Sequence, residues 1–319
     1  MTDQQSDILT ITLNPALDMS TSVDAVRREE KLRCEAPVLD PGGGGINVAR
    51  AIRQIGGRAE AFVALAGFRG QQLSALLYQE QVPHRIFQME GEIRLSFVVK
   101  DRSDDSQLRF VMPGPVWTPA CISELCQQLE GTAMPGMHLV LSGSQPPGFP
   151  ASFPSDLADL ARRKGALVTL DTSGPALFSL LEDKTTAPDV LRLDAQESEA
   201  LAGQPLPSIR DAAQFAKALV AQGTAKCVVL ARGADGSVMA ADDKVLHAKT
   251  PLVPVQSKIG AGDSFVGAFT LSRARGEDWK DALIWGVAAA SAAVMTPATD
   301  LCHLEDTLQL RPDVAITEI

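Results

Sequence analysis

Two kinds of apolar pattern alternate along the chain. Short continuous runs of Val, Leu, Ile and Ala occupy Ile8–Leu13, Ala61–Ala66, His138–Ser142, Ala166–Leu170, Val190–Leu193 and Cys227–Ala231. Between them, apolar positions recur at helical spacing near Ile46–Ile55, Gln71–Gln79, Ala120–Leu129, Phe153–Arg163 and Ile209–Gln222. Uninterrupted runs of this length read as strands buried on both faces. Helices between them predict an α/β fold with a doubly wound, mostly parallel sheet. Ligands of such sheets bind beyond the carboxyl ends of the strands.

Two regions break this rhythm. Thr21–Leu39 and Glu92–Val111 carry extended stretches, Leu32–Val38, Arg94–Val99 and Gln107–Met112, with no helical pattern beside them. They predict a small β-sheet lid over the main domain, built from about residues 17–39 and 92–112. A small sheet with an apolar face invites a partner, so a homodimer through the lid is expected. No repeat, low-complexity segment or long linker divides the chain, which reads as a single domain over residues 1–319.

Composition narrows the function classes. Of 319 residues, 45% are hydrophobic, which is enough for one large core. The formal charge of −10 and the lack of a basic block argue against a nucleic-acid partner. The five cysteines, Cys34, Cys121, Cys126, Cys227 and Cys302, form no C-x-x-C pair and suit reduced thiols in a cytoplasmic protein. The four histidines show no H-E-x-x-H pattern. Met1 to Asp7 is polar, so no signal peptide is expected, and Ala282–Met295 is too short to span a bilayer and reads as a buried helix. No membrane partner is expected.

The candidate chemistry centres on Ile259-Gly260-Ala261-Gly262-Asp263-Ser264, which leads into an apolar helical run. Glycine allows backbone N–H groups to approach a ligand, and a helix N-terminus adds unpaired donors and partial positive charge. A phosphoryl group in transfer suits the amides of Ala261, Gly262 and Asp263, with the Asp263 carboxylate beside an attacking hydroxyl. That combination points to phosphoryl transfer to an alcohol.

Pro41-Gly42-Gly43-Gly44-Gly45-Ile46-Asn47-Val48-Ala49-Arg50 is the second signal. It matches neither a Walker A loop nor G-x-G-x-x-G. Bare backbone at Gly42 and Gly43 with the Asn47 amide suits hydroxyl recognition as well as it suits phosphate. Asp18, in Asn14-Pro15-Ala16-Leu17-Asp18, follows the first strand and suits sugar hydroxyls, although alone the segment is a common turn. Ser142–Gly148, with Ser144, and Asp171–Gly174 follow later strands and are candidate pocket walls. Ala231-Arg232-Gly233-Ala234-Asp235-Gly236 suits either a turn close to a nucleotide or a hairpin, because Ser237–Ala241 and Lys244–Ala248 look like short strands.

Together these segments resemble the ribokinase-like, pfkB-type sugar kinases, with both signature regions present at Gly42–Asn47 and Gly260–Asp263. The resemblance runs from about Ile8 to Thr307. Lys31–Cys34, Pro41–Arg50, Arg109–Gly114, Ser142–Gly148 and Leu301-Cys302 resemble the subgroup acting on fructose 6-phosphate.

The resemblance implies ATP-dependent phosphorylation of fructose 6-phosphate at its 1-hydroxyl. Asp263 would be the base, and the Gly260, Ala261 and Gly262 amides the anion hole. Asp18, Gly43, Asn47 and Ser144 would line the sugar site. Lys31, Arg94 and Arg109 would face the sugar's phosphate. Gly233, Gly236 and Ser291 would surround ATP, and Glu197 would act on Mg²⁺ through water. Rival readings are a 1-phosphofructokinase, a tagatose-6-phosphate kinase, a kinase of unphosphorylated sugars or nucleosides, and a degenerate binder of sugar phosphate or nucleotide.

Three departures from the family pattern stand out. The usual Lys-Pro-Asn reads Arg192-Leu193-Asp194, which places a new carboxylate near the triphosphate, where it would either strengthen Mg²⁺ binding as a candidate ligand or repel ATP. The sugar-side motif reads Ile93-Arg94-Leu95-Ser96, with Ser96 in place of an amide. Lys258 precedes the anion hole, and Thr296, Ala298 and Asp300 replace the residues usual near a monovalent-cation site. These last suggest that the Lys258 ammonium, paired with Asp300, substitutes for the cation.

Overall fold

Valine-, leucine- and isoleucine-rich runs form a ten-stranded sheet, seen in a computed structural model that describes residues 5–182, 186–297 and 299–319. Ala298 and the polar start from Met1 to Gln4 lie outside the described residues. The strands in chain order are β1 (Ile8–Thr12), β2 (Ala16–Val23), β3 (Val38–Gly42), β4 (Glu60–Leu65), β5 (His84–Gln88), β6 (Arg94–Asp101), β7 (Gln107–Val111), β8 (His138–Ser142), β9 (Leu167–Asp171), β10 (Val190–Leu193), β11 (Cys227–Ala231), β12 (Ser237–Ala241), β13 (Lys244–Lys249) and β14 (Ala315–Glu318). The large sheet has the order β14-β13-β12-β11-β10-β9-β8-β1-β4-β5. It is parallel from β11 to β5 and ends in the antiparallel ribbon β11 to β14.

The helices are α1 (Gly44–Gln54), α2 (Gly67–Gln79), α3 (Pro119–Thr132), α4 (Phe153–Lys164), α5 (Pro175–Glu182), α6 (Ala195–Ala202), α7 (Ile209–Ala221), α8 (Ala261–Ala274), α9 (Trp279–Ala293) and α10 (Leu304–Leu310). They cover both faces of the sheet. On β11, Val228 and Leu230 enter one core with α4, α5 and α7, whereas Cys227 and Val229 enter the other with α1, α8 and α9. On β8, Leu139 and Leu141 likewise oppose Val140. This period of two is why the strands read as continuous apolar runs. The expected buried helix at Ala282–Met295 is the greater part of α9.

Helices α1 and α8 pack against one another at Gly267. A Cβ there would lie 3.1 Å from both the Ala51 Cβ and the Val48 carbonyl oxygen. This close approach brings the two helix N-termini, and Asn47 and Asp263 near them, to the same place.

The small sheet has the order β3-β2-β6-β7, with β2 and β6 parallel and both outer pairs antiparallel. Its boundaries differ from the expectation. Residues 31–37, which include most of Leu32–Val38, form no strand, and β3 runs instead from Val38 into the glycine segment. The Asn14–Asp18 stretch is not a plain turn either, because Asp18 lies within β2. Pairing with β6 recruits these polar residues into a strand that their own composition did not announce.

Alternation gives the small sheet two distinct faces. Asp18, Asp40, Arg94, Ser96 and Arg109 fall on one face by register, and Met19, Phe97, Leu108 and Phe110 on the other. Phe97 and Phe110 stack with ring centroids 4.7 Å apart.

Candidate active site

The glycine quartet is a tight strand-to-helix junction. Strand β3 ends at Gly42, Gly43 caps α1, and the helix has begun by Gly44. Gly42 is required by proximity, because a Cβ there would fall 2.2 Å from the Asp18 Oδ2. Asn47 therefore sits in the first turn of α1 and reaches across to α8, donating from Nδ2 to the Asp263 Oδ2 at 2.9 Å.

Gly260 caps α8 in the left-handed conformation, φ 75°, so the amides of Ala261, Gly262 and Asp263 open the helix. Asp263 is partly buried there. Burial pushes its carboxyl up to about 7, and the Asp171 charge adds to the shift. Asn47, Arg192 and Arg50 act in the opposite direction. A carboxylate with this pKa is a competent proton acceptor near neutral pH.

Arg192 lies against the helix tip. Its Nη2 is 3.1 Å from the position a Cβ on Gly262 would take, and its Nη1 donates to the Asp171 Oδ1 at 3.1 Å. The Ser142 hydroxyl donates to the other Asp171 oxygen at 3.0 Å. Asp171 thus links the ends of β8, β9 and β10 to the α8 tip. It had been expected only as part of a pocket wall. The site lies at the carboxyl ends of the parallel strands, as the fold requires. A cavity of about 440 Å³ at the opposite ends of β1 and β4 contains none of the expected residues.

The new carboxylate at 194 is engaged in the fold. Asp194 caps α6, accepting the Glu197 N–H at 2.7 Å, while Glu197 accepts the Asp194 N–H at 2.8 Å. Burial raises the Glu197 carboxyl to about 7; its capping bond opposes the shift, and the Asp194 and Asp171 charges add to it. Asp194 and Glu197 would supply a divalent cation with only a minority of its ligands, the rest coming from phosphates and water, as is usual for Mg²⁺. Among the described residues, no group of three His, Cys, Asp or Glu side chains is preassembled to hold a metal alone.

The polar face of the small sheet gathers the sugar-side residues. Burial raises the Asp18 carboxyl, which Ser96 and Arg94 oppose, Asp40 reinforces and Arg109 opposes. The Arg94 Nε donates to the Asn14 carbonyl at 3.0 Å, and the Asn14 Nδ2 lies 3.4 Å from the Ser144 Oγ. Asn14 therefore ties Arg94 to Ser144. It stood inside the quoted Asn14–Asp18 segment, but only its carboxylate neighbour was singled out.

Other expected residues are placed differently. Lys31 is exposed in the loop before β3, and Arg109 is exposed on β7. Ser291 is buried in α9, where its hydroxyl donates to the Val287 carbonyl at 2.7 Å. Ala231, Gly233 and Gly236 form a hairpin junction, with Ala231 paired to Ser237 and a short 3₁₀ turn over Gly233–Asp235. The Lys258–Asp300 pairing is corrected as well. Lys258 is exposed, and Asp300 instead pairs with His303 at 3.1 Å.

A glycine-capped helix tip that presents a carboxylate, set opposite the polar face of a small sheet, suits a sugar kinase. The model of the pfkB family carbohydrate kinases matches residues 11–306, and the chain belongs to this family. It is thus a phosphotransferase with an alcohol group as acceptor. It is 37% identical over 303 residues to the ATP-dependent 6-phosphofructokinase isozyme 2 of Escherichia coli, covering 95% of this chain and 97% of the relative. It is 27% identical over 312 residues to the 1-phosphofructokinase of Bacillus subtilis, covering 98% and 100%. Phosphofructokinase-2 from E. coli, solved in complex with potassium, superposes with a TM-score of 0.91 at 36% identity, covering 97% and 99% of the two chains. The same E. coli protein has also been solved as a tetrameric inhibited form, with a TM-score of 0.89.

Proposed function

We propose that this chain transfers the γ-phosphoryl group of ATP to the 1-hydroxyl of fructose 6-phosphate. The observation that carries the reading is Asp263, a base titrating near 7 at the α8 tip, held by Asn47 beside the polar face of the small sheet. Asp263 accepts the proton of the attacking hydroxyl. The amides at Gly260–Gly262 and the Arg192 guanidinium offset charge on the phosphoryl group as it moves. Asp18 and Asn47 orient the sugar, and Arg94, with Arg109 and Lys31 at the rim, meets the phosphate already on it.

Glu197 and Asp194 would hold Mg²⁺, which when bound neutralises triphosphate charge. Because both carboxylates already accept helix N–H groups, the Asp at 194 stabilises α6 as well as adding charge to the site. Gly233 and the Ala231 junction border the nucleotide. The apolar face of the small sheet, with Leu108 and Phe110 exposed, carries a homodimer contact.

The deciding experiment measures ATP consumption with fructose 6-phosphate, fructose 1-phosphate, tagatose 6-phosphate and free fructose. Turnover greatest with fructose 6-phosphate is expected. Preference for fructose 1-phosphate would transfer the assignment to the 1-phosphofructokinases, and no turnover with any sugar would leave a binding protein.

A further inference from the structure

Four side chains form a line that ends on the proposed base. They are Glu80, at the C-cap of α2, Arg50 and Asn47 on α1, and Asp263 on α8. The Arg50 guanidinium is buried. Its Nε and Nη2 donate to the two Glu80 carboxylate oxygens at 2.6 and 3.0 Å. With that edge of the fork occupied, Nη1 faces the Asn47 Oδ1 at 3.3 Å. Asn47 and Arg50 are three residues apart on one helix, so they share a face.

A guanidinium has donors only, so the Asn47 amide must turn its oxygen toward Arg50. Its nitrogen then faces the other way and donates to the Asp263 Oδ2. A reversed amide would set two donors against one another at Arg50 and two acceptors against one another at Asp263. We propose that Arg50, clamped by Glu80, is a positioning residue for the base: it fixes the orientation of the Asn47 amide, which holds one oxygen of Asp263 and leaves the other for the acceptor hydroxyl. This rests on Asp263 acting as the base.

The competing role for Arg50 is purely structural, a staple between α1 and the end of α2. Electrostatics separates the two. The groups facing Asp263 are Asp171 from β9, which raises its pKa, and Arg192 from β10, Arg50 and Asn47 from α1, which lower it. Removing Arg50 takes away one positive charge and frees the Asn47 amide. Both changes disfavour the ionised carboxylate, so the acidic limb of the kcat profile must move to higher pH.

The test compares wild type with Arg50→Met, Arg50→Lys and Asp263→Asn by thermal midpoint, kcat, KM and the pH dependence of kcat. Folded Arg50→Met should lose about 10- to 100-fold in kcat, more than KM changes, because a misplaced base costs chiefly in the transition state. Its acidic limb should move upward. Arg50→Lys, which keeps the charge but not the fork, should move the limb less while still lowering kcat. It decides the matter if Arg50→Met does not fold. A lowered thermal midpoint with unchanged kcat and an unmoved limb would leave only the staple and overturn the proposal. If Asp263→Asn is inactive in that case, the base assignment survives; if Asp263→Asn keeps its kcat, the assignment of the base falls first.

Discussion

The two halves of the site are built on different foundations. The helix-tip half stands on α1 and α8, whose inner faces are sunk in the core: Phe269 and Ile52 are fully buried, and Phe269 stacks between Phe265 and Trp279. The lid half stands on four short strands, and β7 is exposed along its whole length. The difference follows from what each half does. A base must be held within a fraction of an ångström of the reacting oxygen, which requires an element that the core cannot let move. A sheet that receives a sugar phosphate must admit and release it, and elements with few buried contacts open at low cost. Substitutions in the first half should therefore appear in kcat and in stability, and those in the second in KM.

The sharpest break of this comparison is Asp263→Asn. It removes the proton acceptor while leaving the shape of the α8 tip, so kcat should fall by about 10²-fold or more with little change in thermal midpoint. A variant with near wild-type kcat would show that the helix-tip half does not carry the chemistry. Next in size is the contrast between Phe269→Ala and Phe110→Ala. Emptying the Phe269 site should cost about 3–5 kcal/mol in chemical denaturation. At protein concentrations low enough to separate any dimer, Phe110→Ala should cost less, about 1 kcal/mol, because its ring, although stacked on Phe97, is already 43% exposed. Equal costs would mean that the small sheet is as deeply anchored as the large one.

The same contrast explains what was legible beforehand. Strands β8, β10 and β11 match the predicted runs residue for residue, since burial on both faces keeps most of their positions apolar. In the small sheet one face is polar for function, so Asp18 and Asp40 interrupt the apolar pattern and β2 and β3 could not be bounded from composition. Within the site, Asp263 and Asn47 were legible because glycines mark the backbone turns that present them. Arg50 and Glu80 were not. Arg50 closes the glycine-rich segment, but its contact with Glu80 spans 30 residues and joins the face of one helix to the end of another, so nothing local marks its partner or its role. Asp171 was missed as a partner of Arg192 for the same reason: the pair forms only when neighbouring strands align.

The last expected effect lies in the lid and tests the comparison from its other side. Arg94 donates to the Asn14 carbonyl and faces Asp18, so its guanidinium is held in place rather than free at the surface. Arg94→Glu would set a carboxylate beside Asp18 and against the phosphate of the sugar. A lost charge-assisted contact is worth about 1.5–3 kcal/mol, which corresponds to about a 10- to 100-fold rise in KM for the phosphorylated sugar. KM for ATP and the thermal midpoint should change far less, because the proposed ATP site lies away from the lid. Arg109→Glu, exposed on β7, should show the same direction with a smaller rise. If Arg94→Glu instead lowers kcat at saturating sugar and leaves KM alone, the lid takes part in the chemical step, and the division between a rigid catalytic half and an admitting half is wrong.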